Sequence, residues 1–259
     1  MAGEVRTDVR GAAAWVTIDR EEHRNALSPG VVSGLLEAVS RAGDDEAARV
    51  VVLTGAGERA FCAGGDIGGM APDGSRVAQH DTRGALAALF RAMQDCPKPI
   101  VARVNGHALA GGFGLMLACD LAVATEDAEF GTPEVNLGLW PHMISAVIQR
   151  NVPRKVALEM MLTGRRVAAA EAERWGMVNR VVPRAGLDDA VSSLVDELAA
   201  KSPLILSLGK RSFYRSQDMS FDDALAYLQS MLTVNLQAED VAEGVSAFLQ
   251  KRPPEWKGR

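Results

Sequence analysis

Two glycine-rich turns carry the residues best placed to do chemistry. The first is Ala60-Phe61-Cys62-Ala63-Gly64-Gly65-Asp66-Ile67, and the second is Asn105-Gly106-His107-Ala108-Leu109-Ala110-Gly111-Gly112. Each follows a β-like run, Val50–Leu53 before the first and Ile100–Val104 before the second. Bare glycine at a strand end lets a ligand approach backbone N–H groups. Two such groups aimed at one oxygen make an oxyanion hole, and hence carbonyl chemistry. The second turn runs into the apolar stretch Gly111–Asp120, long enough for a buried helix whose positive end would leave the Gly111 N–H free to donate. From glycine pattern alone, each turn equally fits a tight strand-to-helix connection. A third segment, Phe130 to Pro141, sets Glu134 among mostly apolar neighbours. A carboxylate buried there needs a role or a partner, and desolvation would make it a better proton acceptor. The plainer alternative is an exposed loop glutamate.

The elements that must position these turns alternate in type. Strand-like runs fall at Ala14–Asp19, Val50–Thr54, Ile100–Val104, Leu121–Ala124 and Val178–Val182. Ser28-Pro29 is a helix start, followed by an apolar stripe of Val31, Leu35 and Val39. Arg83–Gln94 and Ala168–Trp175 read as further helices, the latter capped by Gly176. Pro72-Asp73-Gly74-Ser75 reads as a loop. Strands alternating with helices predict an α/β fold. Past residue 186 only helical signals remain, with starts at Ser202-Pro203 and Ser220/Asp223. The chain therefore divides into an α/β core, 1–186, and a helical C-terminal region, 187–259. That region is rich in apolar residues such as Leu225, Leu228, Leu232 and Phe248, which call for a packing partner.

Composition narrows the function further. At 259 residues, 47% hydrophobic and 24% charged, the chain is an ordinary globular one, and a net charge of −5 disfavours a general nucleic-acid partner. Three cysteines (Cys62, Cys96 and Cys119) without CxxC spacing fit reduced, buried thiols and a cytoplasmic location. Four scattered histidines (His23, His80, His107 and His142) show no metal-ligand spacing. Neither a signal core nor a membrane-spanning run is visible.

Taken together, these segments resemble the crotonase family, the enoyl-CoA hydratase/isomerase superfamily. The likeness runs from RNALS (24–28) through AFCAGGDI (60–67), NGHALAGGFGL (105–115), ACD (118–120), FGTPEVNLGLWP (130–141) and LTGRRVAAAEAERWGMVNRVV (162–182) to FLQKRPPEW (248–256). It implies a crotonase-like spiral of ββα turns with a C-terminal helical trimerisation region, the trimers often pairing into hexamers. It implies an acyl thioester of coenzyme A as substrate, with no cofactor beyond that substrate, no metal, no nucleic acid and no membrane partner. The oxyanion donors fall on the N–H groups of Gly65 and Gly111, and the catalytic carboxylate on Glu134. Ala63, Asp66 and Ile67 are expected at the adenine pocket, Arg24 and Ala26 along the pantetheine path, and Lys251 and Arg252 near the phosphates. Gly112, Gly114, Pro133 and Leu139 complete the implied binding residues.

One position departs from the hydratase pattern. Typical enoyl-CoA hydratases hold water with two glutamates, and the first of these falls on Gly114. A single carboxylate suffices to carry a proton from Cα to Cγ. The expected chemistry is therefore Δ3-Δ2-enoyl-CoA isomerisation by Glu134, with water addition as the alternative. A hydrolase, decarboxylase or carbon–carbon lyase, or a non-catalytic acyl-CoA binder, are more distant readings. His142 is the nearest candidate to replace the missing carboxylate. The glycine at 114 is also expected to leave space for a branched, cyclic or aromatic acyl group.

Overall fold

A computed structural model of the chain describes residues 4–66 and 75–259. Ile67 and most of the Pro72–Ser75 loop lie outside the described residues. The strands sort into two sheets. In the first, β1 (Val5–Arg10) runs antiparallel to β2 (Ala13–Ile18). From there β3 (Val50–Gly55), β5 (Ile100–Val104), β7 (Leu121–Thr125) and β10 (Arg180–Val182) follow in parallel. The second sheet has β4 (Ala60–Cys62), β6 (His107–Leu109) and β8 (Glu129–Gly131) in parallel, closed by antiparallel β9 (Arg166–Ala168).

From β3 to β8, consecutive strands alternate between the sheets, and helices α2 (Arg76–Asp95) and α3 (Gly111–Leu117) return the chain to the first sheet. The path β3-β4-α2, β5-β6-α3 is the spiral of ββα turns. The Val/Ile/Leu runs of β3 and β5 are buried because both faces of the first sheet are covered. One face meets α1 (Pro29–Asp44), whose stripe Val31, Leu35 and Val39 is sequestered in the main core. Ser28 caps α1 by accepting the Val31 N–H at 3.0 Å, with Pro29 at the first helical position. After α4 (His142–Asn151), α5 (Arg154–Thr163) and α6 (Ala169–Arg174) comes α7 (Leu187–Ala199), which meets the other face through Leu187, Val191 and Val195 against Trp15, Val50, Val52, Val101 and Val123.

Beyond α7 lie α8 (Pro203–Ser216), α9 (Phe221–Asn235) and α10 (Glu239–Gln250). A polar clamp ties α8 down: Lys210 and Tyr214 both reach Asp120, each at 2.7 Å, and the same carboxylate accepts the Ile100 N–H. Asp120 thus joins the helical region to the core. By contrast, no α9 side chain is buried.

Candidate active site

Three adjacent parallel strands end in the three segments singled out by their chemistry. β4 leads into Ala63-Gly64-Gly65, β6 into Ala110-Gly111-Gly112, and β8 into Thr132-Pro133-Glu134. Ligands in α/β folds bind outside the carboxyl ends of such strands. The strands are only three residues long, so their register is set from outside. Two buried asparagines do this for β4. Asn25 donates to the carbonyls of Ala56 (2.9 Å) and Ala60 (2.7 Å) and accepts the Arg20 N–H. Asn105 donates to Gly57 and again to Ala60, and accepts from Thr54 and Gly55. The start of β4 is held by both. Asn25→Ala leaves buried polar partners unsatisfied, so an unfolding free-energy loss of about 3 kcal/mol is expected by denaturant titration.

The first turn is laced to the segment before α1. Ala63 N–H donates to Arg24 O (3.0 Å), Leu27 N–H to Gly64 O (2.7 Å) and Asp66 N–H to Leu27 O (3.2 Å). This parallel bridge brings Arg24, Ala26, Ala63, Gly65 and Asp66 together. Arg20 locks it, pairing with Asp66 (3.0 Å) and Glu4 (2.7 Å) and donating to Ala26 O. The Asp66 carboxylate is thus engaged with Arg20.

The two glycine turns touch. A Cβ built on Gly111 would stand 3.6 Å from the Gly65 nitrogen, and one on Gly64 would stand 3.2 Å from the Gly111 nitrogen. Gly64 has φ +101°, a conformation that suits glycine. Ala110 sits at φ +49°, an unfavourable value for alanine, and it caps α3. Its N–H is tied to Gly131 O, 2.8 Å away. Among the described residues, no acceptor takes the N–H of Gly65 or of Gly111. Gly112 packs so tightly on the Cys62 carbonyl that no side chain fits, which makes it a packing position.

Glu134 lies in a 3-10 turn, Pro133–Leu137, entered directly from β8. It is half-buried, and its Oε2 is sealed from solvent with no partner among the described residues; the buried Thr132 hydroxyl is likewise unpartnered. Burial pushes the Glu134 carboxyl above the ordinary glutamate range. A base must be ionised to act. With Glu134 as the base, the acid limb of the rate profile should have its midpoint above the ordinary glutamate value, read from kcat/KM against pH.

Gly114 is where the structure corrects an expectation. The volume beside it is already filled: a Cβ there would lie 2.6 Å from Ile144 Cβ and closer still to Cγ2. Ile144 belongs to α4 (His142–Asn151), which lies along α3, and it is 2% exposed. No room for a bulkier acyl group arises from the glycine. His142 sits exposed at the start of α4.

The remaining sequence candidates spread outward. Pro133 is half-buried beside Glu134, and Leu139 is exposed at the end of the same segment. Lys251 caps α10 and is exposed, while Arg252 is held by Glu243 in a double hydrogen bond of 2.6 and 3.0 Å. Burial pushes the Cys62 thiol up to about 12 and raises those of Cys96 and Cys119, so none is a nucleophile at neutral pH. Among the described residues, no helix is long and apolar enough to cross a membrane.

Arg20, Asn25, Asn105 and Ile144 were not read as site residues from the sequence. Asn25 and Asn105 stand inside two of the motifs, but nothing in the sequence shows what they bond.

Comparison with known proteins gives the family. The family profile described as Enoyl-CoA hydratase/isomerase matches residues 8–259. The chain belongs to the enoyl-CoA hydratase/isomerase family. Among its relatives is the carnitinyl-CoA dehydratase of Proteus mirabilis, 35% identical with the whole of both chains covered. Crystal structures agree in fold across nearly the whole chain. An enoyl-CoA hydratase of Mycobacterium smegmatis superposes with a TM-score of 0.93 at 38% identity, covering 98% of both chains. Human enoyl Coenzyme A hydratase domain-containing protein 3 gives 0.92 at 30% identity, covering 98% of this chain and all of that one.

Proposed function

We propose that this member of the family is an acyl-CoA isomerase that moves the double bond of a 3-enoyl thioester to the 2-position. The observation that carries it is the half-buried Glu134 carboxylate, unpartnered at Oε2 among the described residues, with Gly114 where the family's hydratases carry their other glutamate and Ile144 filling the space beside it. In this reading the thioester oxygen accepts from Gly65 N–H and Gly111 N–H. Glu134 takes a proton from C2, the electrons pass into a dienolate, and the negative charge gathers on that oxygen. Glu134 then returns the proton to C4, and the double bond settles between C2 and C3. No atom is gained or lost, so one acid/base group is enough. The two N–H donors matter because a carboxylate alone is too weak a base for the α-proton of a thioester. Leu137, Leu139 and Met143, which follow Glu134 in the chain, expose apolar surface suited to an acyl chain.

Water addition to a 2-enoyl thioester is the second reading, favoured by the hydratase and dehydratase names of the relatives. Parallel assays of purified protein separate the two. Conversion of 3-enoyl-CoA to 2-enoyl-CoA faster than hydration of 2-enoyl-CoA supports isomerisation, and the reverse order supports the hydratase.

The reading also takes the protein to be a homotrimer or a pair of trimers. Leu225, Leu228, Leu232, Leu236 and Phe248 are exposed on one protomer, a concentration that isolated chains rarely leave uncovered. Leu228→Glu with Leu232→Glu should shift the mass measured by light scattering from the oligomer to the protomer.

A further inference from the structure

We infer that Ile144 is the specificity-determining residue of this site, the side chain that blocks a second carboxylate and its water. The inference rests on the isomerase reading. Gly114 lies three residues beyond Gly111 in α3, so the two positions share a face of the helix. The atoms nearest a side chain at 114 belong to Ile144. Carbon atoms in contact sit about 3.5–4.0 Å apart, and a Cβ on residue 114 would be 2.6 Å from Ile144 Cβ. The Ile144 Cα would be 3.6 Å away, an ordinary contact. The obstruction is therefore the side chain of residue 144 and not the path of its backbone.

Ile144 cannot easily yield. It is β-branched and helical, which leaves essentially one rotamer, and it is packed into the main core. Its methyl groups present an apolar wall where a water-holding glutamate would otherwise stand. The chemical consequence concerns the product. A 2-enoyl thioester is electrophilic at C3, and a water held beside it would add hydroxyl to C3 and a proton to C2. A wall without hydrogen-bonding groups gives that water no partner, so the isomerised product leaves unhydrated.

Geometry makes the test stepwise. Gly114→Glu alone meets Ile144. Gly114→Glu with Ile144→Ala still meets a Cβ at 2.6 Å. Only Gly114→Glu with Ile144→Gly has room. Hydration of 2-enoyl-CoA and isomerisation of 3-enoyl-CoA are measured for the wild type, for all three variants and for Ile144→Gly alone, with thermal unfolding midpoints for each. The expected result is a ratio of hydration to isomerisation raised about 10²-fold only when Gly114→Glu is combined with Ile144→Gly. The melting midpoint of that double variant should also lie above that of Gly114→Glu, although Ile144→Gly alone lowers it. A double variant that hydrates no faster than Gly114→Glu, or melts no higher than it, or does not fold at all, overturns the role of Ile144. Failure of the isomerase reading shows separately, as a wild type that does not isomerise.

Discussion

Replacing Glu134 by glutamine is expected to lower the rate of isomerisation by about 10²–10⁴-fold, while the affinity for an acyl-CoA product changes little. The substitution keeps the shape of the side chain and removes only its ability to accept a proton. Its Oε2 is buried without a partner among the described residues, so no structural hydrogen bond from that atom is lost. Stability should move the other way. The carboxyl is raised by burial in the folded protein, so the folded state holds its proton more tightly than the unfolded chain does. Stability then falls as pH rises from the ordinary glutamate value through the raised one, and the deficit persists above it. Glutamine has no such deficit. The variant should melt above the wild type at neutral pH, with the gap closing as pH is lowered. Its remaining activity should lack the acid limb. Wild-type turnover in this variant would mean that another group carries the proton.

Gly64→Ala is the second large effect, and it acts through the other half of the chemistry. Residue 64 needs φ near +101°, and an added Cβ would lie 2.6 Å from Ala110 Cβ and 3.0 Å from Leu109 O. Both glycine turns must shift to admit it. Misaligning even one donor costs about 10²–10³ in kcat, and the strained backbone costs about 1–3 kcal/mol of stability. Glu134 is untouched, so the midpoint of the acid limb should stay where it is while the whole profile drops. A moved midpoint would show that the turn acts on the base instead.

These two variants also mark what could be read from the residues. The glycine turns and Glu134 announced themselves by type, because bare backbone and a carboxylate among apolar neighbours are visible without coordinates. The long strands β3, β5 and β7 were legible as apolar runs, and α1 from its Ser-Pro start and its stripe. The strands that hold the site were not. β4, β6, β8 and β9 have three residues each, too few for a period to show, and Asn25 and Asn105 pin the Ala60 carbonyl at their head from two sides. β1 was missed for another reason: it is an edge strand with mostly exposed, polar residues. Gly114 shows the limit most clearly. Its missing side chain could be read as empty space, since nothing in the segment itself reveals that α4 packs on α3 with Ile144 at that point. A residue far along the chain determines what the glycine means.

The central claim is that one carboxylate moves one proton and no water is added. Incubating the enzyme with a 3-enoyl-CoA in isotopically labelled water, and following the products by mass spectrometry, tests it directly. The first product should be 2-enoyl-CoA free of labelled oxygen, with hydroxylated thioester appearing far more slowly. Labelled 3-hydroxyacyl-CoA forming as fast as the 2-enoyl product, or 3-enoyl-CoA left unconverted, would contradict it.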